Sequence, residues 1–531
     1  MSRLTSSKQW NTLQEHYFNI KNLKLKDIFQ YDEDRFDRYS YKLNGITYDL
    51  SKNRINFDTV SHLISLAKFT SLHRNIPKLF DDNTLNYTED RAVLHTALRD
   101  TSDKQIHHQY INIKSFINAE KEKIKIISDK INTLNWKSDD NTINNIVFIG
   151  IGGSFQGPKL ITDALTKYHK KDININFISN FDYNELEAIF DKSNPKNTLF
   201  VITTKSFNTD ETLTNANTAK QWLLDNNISP DNINNHFLAI TSNSEKAEQF
   251  GIKPENILNT WDWVGGRFSL WSVVGLPIAI KCGYEVFEQL LNGAEIADNH
   301  FQNADLDENI PVLLALIDIW YINFFNVKSK AVFSYNQPLA ELPNYLQQLN
   351  TESNGKRIDK KGEKVDYQTA IPIWGGVCTN MQHSVFQMLH QGTSLTPVEF
   401  IAIAKDNGNP LHNKKLLSNF LAQSRAFMNG RNINEVPDSD PNKEFPGNIP
   451  STSILIDELT PSSLGTLLAI YEHKIITMGL IWNINSFDQF GVELGKEIAL
   501  EIEDKFESSE TNNFDSSTNN LLKIIKDINN Y

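Results

Sequence analysis

Between residues 144 and 243 the sequence repeats one pattern that few folds accommodate: a short apolar run, a loop of glycine or hydroxyl residues, then a longer polar or helix-like stretch. The runs occupy 144–153, 174–179, 198–206 and 236–243. Runs this short, rich in Val, Ile and Phe, suit strands buried on both faces, and the stretches between them suit the helical crossovers that parallel pairing requires. The alternation predicts a parallel α/β sheet from about residue 106 onward. A second set starts near residue 310, where a helical run over 311–325 precedes apolar runs at 331–338, 371–377 and 451–459. The expected fold class is therefore α/β, as two tandem α/β lobes with parallel-rich sheets, over 106–290 and 291–505. Residues 1–105 read as a helical N-terminal region, with apolar spacing at Leu63, Ile64, Leu66 and Ala67 and again at Val93, Leu94, Ala97 and Leu98. Residues 506–531 read as a polar C-terminal tail ending in a short docking helix.

A chain of 531 residues and 60.8 kDa is long enough for several packed units and a large cleft between elements. Its 52 basic against 65 acidic side chains give a net charge of -13, which argues against nucleic-acid or anionic-membrane partners and means that any anionic ligand must be held locally. Two cysteines, Cys282 and Cys378, form no disulfide framework or zinc pattern and fit a reducing, cytoplasmic setting. No signal-peptide core opens the chain, and no run of about 18 apolar residues free of charge suggests a membrane passage.

Several loops carry residue types suited to chemistry. Gly150, Gly152, Gly153 and Ser154 follow the first buried strand, where bare backbone can approach an anion, although a tight strand-to-helix turn uses the same residues. Their spacing is not the GxGxxG dinucleotide fingerprint. Thr203, Thr204, Lys205, Ser206 and Thr209 follow another strand and precede a helix; one hydroxyl suffices for an N-cap, so the abundance favours a phosphate cradle. Gly265, Gly266 and Arg267 combine exposed backbone with a fixed cation, an arrangement shared with glycine turns whose arginine pairs with a structural acid. Glu352 sits among small polar residues before Gly355, off any obvious amphipathic face, and reads as a general base or an ordinary surface acid. His383 and Lys496 offer a proton carrier and a cation, though a lone histidine is often structural. No side-chain cluster has metal-ligand spacing, and neither a P-loop nor a nucleophile elbow occurs, so neither metal nor cofactor is expected.

Taken in order, Gly150–Ser154, Thr203–Thr209, Asp262–Ser269, Gln347–Lys356, Gln382–Ser384 and Val492–Lys496 resemble the glucose-6-phosphate isomerase family. Asn86–Glu89 and Arg91–Arg99 extend the resemblance, which covers about residues 86 to 496. It implies two sugar-isomerase (SIS) type domains, an aldose-ketose isomerisation of glucose 6-phosphate and fructose 6-phosphate, and a homodimer. It places the phosphate on Ser154, Thr204, Ser206 and Thr209 with Gly153 and Lys205, puts Gly266, Gln348 and Gln489 along the sugar, and makes Glu352 the base that moves a proton between C2 and C1. Arg267 would stabilise the cis-enediolate. His383, supplied across the dimer interface, and Lys496 would open the sugar ring, so a monomer would be nearly inactive.

Some positions depart from the family's pattern. Thr204, Ser206 and Asn208 stand for Ser, Thr and Thr; Thr351 stands for Met beside the base; and Gly376, Val377, Cys378 and Met381 stand for Glu, Pro, Gly and Gly before the histidine. A side chain at 381 would strain the loop and displace His383 if the backbone there had positive φ. A sugar-phosphate sensor would keep the phosphate loop but not Glu352, Arg267, His383 and Lys496. A dual glucose/mannose phosphate isomerase would lack the arm and the Glu352 run, and a dehydrogenase would carry the missing dinucleotide fingerprint.

Overall fold

The computed structural model describes residues 3–81, 84–138, 140–405, 408–507 and 514–529. Its contacts divide the chain into one large unit, Met1–Phe487, and a smaller one, Asp488–Tyr531. In chain order the strands of the two large sheets are β1 (Ser40–Leu43), β2 (Ile46–Asp49), β3 (Asn145–Ile149), β4 (Asn174–Ile178), β5 (Thr198–Thr203), β6 (Phe237–Thr241), β7 (Ile257–Asn259), β8 (Lys330–Ser334), β9 (Ile373–Val377), β10 (Val398–Ile403) and β11 (Ser451–Ile456).

The first sheet has the order β7-β6-β5-β3-β4 and is parallel throughout. Strand order reverses between β3 and β5, with Ile149 opposite Ile202, so the crossovers leaving their carboxyl ends run to opposite faces and open a crevice there. All six residues of β5 are buried. Leu199 and Val201 enter a core continuous with the second sheet, while Phe200 and Ile202 enter a separate cluster with Phe190 and Leu223, as the two-residue period of a doubly covered strand requires.

The second sheet, β1-β2-β11-β10-β8-β9, repeats that winding in its parallel part and adds an antiparallel edge. Here Ile401 and Ile403 face the shared core while Phe400 and Ala402 face a third cluster with Phe386 and Phe427. The edge corrects one expectation: the N-terminal region is not wholly helical, because β1 and β2 form a hairpin that pairs onto β11 with Ile46 opposite Ile456. Leu63, Ile64, Leu66 and Ala67 do lie on a helix, Phe57–Phe69, capped by Asn56. Val93, Leu94, Ala97 and Leu98 do not; only His95–Leu98 form a 3-10 turn, and the apolar spacing there records burial rather than periodicity.

The helix Pro461–Trp482 is long and apolar enough to cross a membrane by length and composition, yet 94% of its apolar window is buried inside the unit. Its centre is charged and paired. Arg99 donates to Asp298 at 2.6 and 2.7 Å and to Glu472 at 2.6 Å, His473 Nε2 lies 2.6 Å from Asp298, and Lys474 reaches Asp318 at 2.8 Å and Glu399 at 3.0 Å. Burial alone would raise the Glu399 carboxyl, but Lys330 and Lys474 hold it well below the ordinary range. A charged midpoint with partners marks a core helix of this fold.

The second unit starts at Asp488, earlier than the tail expected from residue 506. Within that unit lie the helices Leu494–Phe506 and Ser516–Asn529. Residues 508–513 and 530–531 of the expected tail lie outside the described residues.

Candidate active site

The crevice at the strand-order reversal is lined by the two loops that follow β3 and β5. After β3 the chain turns through a short 3-10 segment, Gly152–Ser154, into the helix Gln156–Ala164. Gly152 has a φ of 60°, and a Cβ on Gly153 would lie 2.2 Å from the carbonyl carbon of Gly266 and 2.6 Å from Arg267 N. The glycine at 153 is thus fixed by the backbone crossing it, which seats the Arg267 loop against the first loop. Gly266 itself faces open space on the side where a Cβ would project.

After β5, Thr204 is buried and Ser206 exposed. Thr209 occupies the N-cap of the helix Asp210–Asp225, yet its side chain makes no capping bond; its hydroxyl instead lies 2.8 Å from that of Thr204. Simple capping therefore does not explain the hydroxyl cluster. Lys205 Nζ donates to the carbonyls of Asp262 at 3.1 Å and Val264 at 3.2 Å, tying this loop to the one carrying Arg267. Burial pulls the Lys205 ammonium below the ordinary lysine range, and Asp262 opposes that pull.

Glu352 lies in the last turn of the helix Leu342–Asn354 and is not among its buried residues. A carboxylate there opposes the helix dipole, so helix stability does not account for it. Lys356 Nζ caps the same end, bonding the carbonyls of Glu352 and Ser353 at 2.7 and 3.0 Å. Arg267, whose side chain is 1% exposed, places Nη1 3.4 Å from Glu352 Oε2. Gln348, one helical turn back, donates from Nε2 to the same oxygen at 3.2 Å, and a Cβ on Gly152 would lie 3.2 Å from that Nε2. Arg267 and Gln348 thus both approach Oε2. Arg267 also donates from Nε to Ser353 Oγ at 2.7 Å and from Nη2 to the carbonyl of Ser486 at 2.6 Å. Residue by residue, Gly153 packs on Gly266, Arg267 holds Glu352, Gln348 bridges Glu352 to the glycine turn, and Lys205 joins the hydroxyl loop to the whole.

Of the departures, Thr351 turns its hydroxyl back to the carbonyl of Gln347 at 2.7 Å. Met381 has a φ of -60°, so the strain expected at that position does not arise. Its side chain occupies room opposite Gly376, where an added Cβ would lie 2.9 Å from the Met381 sulfur; a small residue at 376 and a long one at 381 fit each other. His383, exposed, follows in the first turn of the helix Gln382–Gln391. Gln489 and Lys496 belong to the second unit, Gln489 preceding a 3-10 turn and Lys496 exposed on the helix Leu494–Phe506. The Ser353 hydroxyl and the Ser486 carbonyl were not singled out from sequence, since a buried serine and a backbone carbonyl leave no pattern there.

Fold and site together define a protein of the sugar-isomerase (SIS) type, with parallel α/β sandwiches and an anion-suited loop beside an arginine-held carboxylate. The sequence profile of the family described as phosphoglucose isomerase matches residues 49–522. The glucose-6-phosphate isomerase of Campylobacter jejuni subsp. doylei is 42% identical over 100% of both chains, and that of Christiangramia forsetii is 44% identical over 98% of both. The crystal structure of a glucose-6-phosphate isomerase from Chlamydia trachomatis superposes with a TM-score of 0.88 at 31% identity, covering 99% of this chain and 100% of that one. A hypothetical protein from Thermus thermophilus shares the fold with a TM-score of 0.64 at 20% identity, over 86% of this chain and 99% of that one. The chain belongs to the phosphoglucose isomerase family.

Proposed function

We propose that this chain interconverts glucose 6-phosphate and fructose 6-phosphate, the reaction its family membership designates, with the residues interlocked around the β3–β5 crevice doing the chemistry. The observation that carries this reading is Glu352 Oε2 approached by Arg267 at 3.4 Å and Gln348 at 3.2 Å, where Gly153 meets the backbone of Gly266 with no room for a side chain between them. Asp210 and Glu211 already complement the dipole of the helix after the hydroxyl loop. The phosphate is therefore held by Ser154, Thr204, Ser206 and Thr209, by backbone N–H groups about Gly153, and by Lys205. Gly266 leaves room for the sugar, with Gln348 as a polar partner. Glu352 takes the proton from C2 and returns it to C1. Arg267, 3.4 Å from that carboxylate, stabilises the cis-enediolate. A double variant Ser206→Ala with Thr209→Val removes two donors to the phosphate and is expected to raise KM about 10- to 100-fold. A coupled assay of both directions measures it; an unchanged KM would move the phosphate elsewhere.

His383 is the proposed ring-opening residue, and it acts in the site of a partner subunit. Its exposure in its own protomer supports this. Mixing the separately inactive variants Glu352→Gln and His383→Ala under subunit exchange is expected to restore about a quarter of the activity, because each mixed dimer holds one intact site. No recovery, with exchange verified, would place the histidine within its own chain. The substrates place the protein in glycolysis and gluconeogenesis, and the two buried, unpaired cysteines are in keeping with a cytoplasmic location.

A further inference from the structure

We propose that Ser353 is a positioning residue for the reaction, fixing the plane of the Arg267 guanidinium so that Nη1 is directed at the base and the reacting carbons. This rests on the reading of Arg267 given above. An arginine has four side-chain torsions, and a guanidinium held by one contact rotates about the others; two acceptors on one edge remove that freedom. Arg267 has such an edge: Nε donates to Ser353 Oγ at 2.7 Å and Nη2 to the Ser486 carbonyl at 2.6 Å. The pair locks the lateral edge and turns Nη1 toward Glu352 Oε2, 3.4 Å away. Because Ser353 follows Glu352 on the same helix, base and cation are registered to each other through one backbone segment.

The other acceptor is held from the same helix. Asn354 receives the Ser486 hydroxyl on Oδ1 at 2.6 Å and donates from Nδ2 to the carbonyl of Ile475 at 2.8 Å. Ser353 and Asn354 are both fully buried, and neither touches Glu352's carboxylate. Ser486 reaches this place only because residue 479 lacks a side chain: a Cβ on Gly479 would lie 1.8 Å from Ser486 Oγ. Consecutive residues on one helix thus seat the two acceptors that orient the arginine. A hydroxyl that only stabilised the fold would not need to fall on the edge of the guanidinium that meets the base.

The test compares Ser353→Ala, Ser353→Thr and Arg267→Lys in the full chain. Ser353→Ala is expected to lower kcat about 10- to 100-fold with KM changed less than about threefold, as for a small misorientation of a group that acts in the transition state. A five-carbon aldonohydroxamate 5-phosphate, planar and anionic like an enediolate, should lose affinity in parallel with kcat/KM, while glucitol 6-phosphate, a ground-state mimic, keeps its affinity. Ser353→Thr, which keeps the acceptor, should recover most of the loss. If Ser353→Ala retains kcat within about twofold while Arg267→Lys loses it, the positioning role is overturned and the reading of Arg267 stands. If Arg267→Lys is also unimpaired, that reading itself fails. Should Ser353→Ala not fold, Gly479→Ala displaces the Ser486 carbonyl instead, and the absence of the same selective loss of hydroxamate affinity would overturn the proposal.

Discussion

Replacing Glu352 by Gln is expected to lower kcat about 1,000-fold while leaving KM for fructose 6-phosphate within a few fold. The side chain keeps its size and can still receive a hydrogen bond from Gln348 Nε2, but an amide cannot accept the C2 proton, and a positioned general base contributes about 10²- to 10⁴-fold. The loop proposed to hold the phosphate, tied to the Arg267 loop through Lys205, is untouched, so substrate capture is expected to persist. The same assay on Glu352→Asp should show a smaller loss, because a shorter carboxylate retains the chemistry at a worse distance. Wild-type turnover in Glu352→Gln would remove this carboxylate from the reaction.

Arg267→Lys is the second large effect, with an expected loss of kcat of about 100- to 1,000-fold, the range for removing a preorganised charge that meets the developing oxyanion. Charge is conserved in this variant, so the loss isolates geometry. An ammonium cannot donate together to Ser353 Oγ and the Ser486 carbonyl while also meeting Glu352, contacts the guanidinium makes at 2.7, 2.6 and 3.4 Å. Stability should fall as well, since two buried acceptors lose their donor. Comparing kcat with the thermal midpoint separates the two. A kcat unchanged in a destabilised protein would make Arg267 a structural residue alone.

Much of this site is legible in the sequence because its groups follow strand ends. Loops leaving the carboxyl ends of parallel strands carry ligands, and the runs ending at Ile149 and Thr203 were recognisable as strands, so the glycine turn and the hydroxyl cluster could be named beforehand. The strand-order reversal that brings these two loops together is a tertiary fact that no local pattern encodes. Glu352 shows the opposite limit. Its chemistry could be suspected, but its helix carries a polar face toward the site, so the apolar periodicity that announces a helix is diluted by Gln348, Thr351 and Glu352 itself. The β1–β2 hairpin escaped because its alternation is short and its partner strand, β11, lies about 400 residues away in sequence. Met381 could not be judged from sequence, since its fit depends on the empty space over Gly376.

In the proposed reaction one carboxylate, Glu352, carries a proton between C2 and C1 of the opened sugar. This transfer is tested most directly with glucose 6-phosphate deuterated at C2, converted in ordinary water and trapped as fructose 6-phosphate. Part of the deuterium is expected at C1 and the rest in water, because a carboxyl proton held at Glu352 exchanges partly with solvent before it is returned. Complete retention of the label at C1, however slow the turnover, would indicate a direct hydride shift and contradict the assignment of Glu352 as the base.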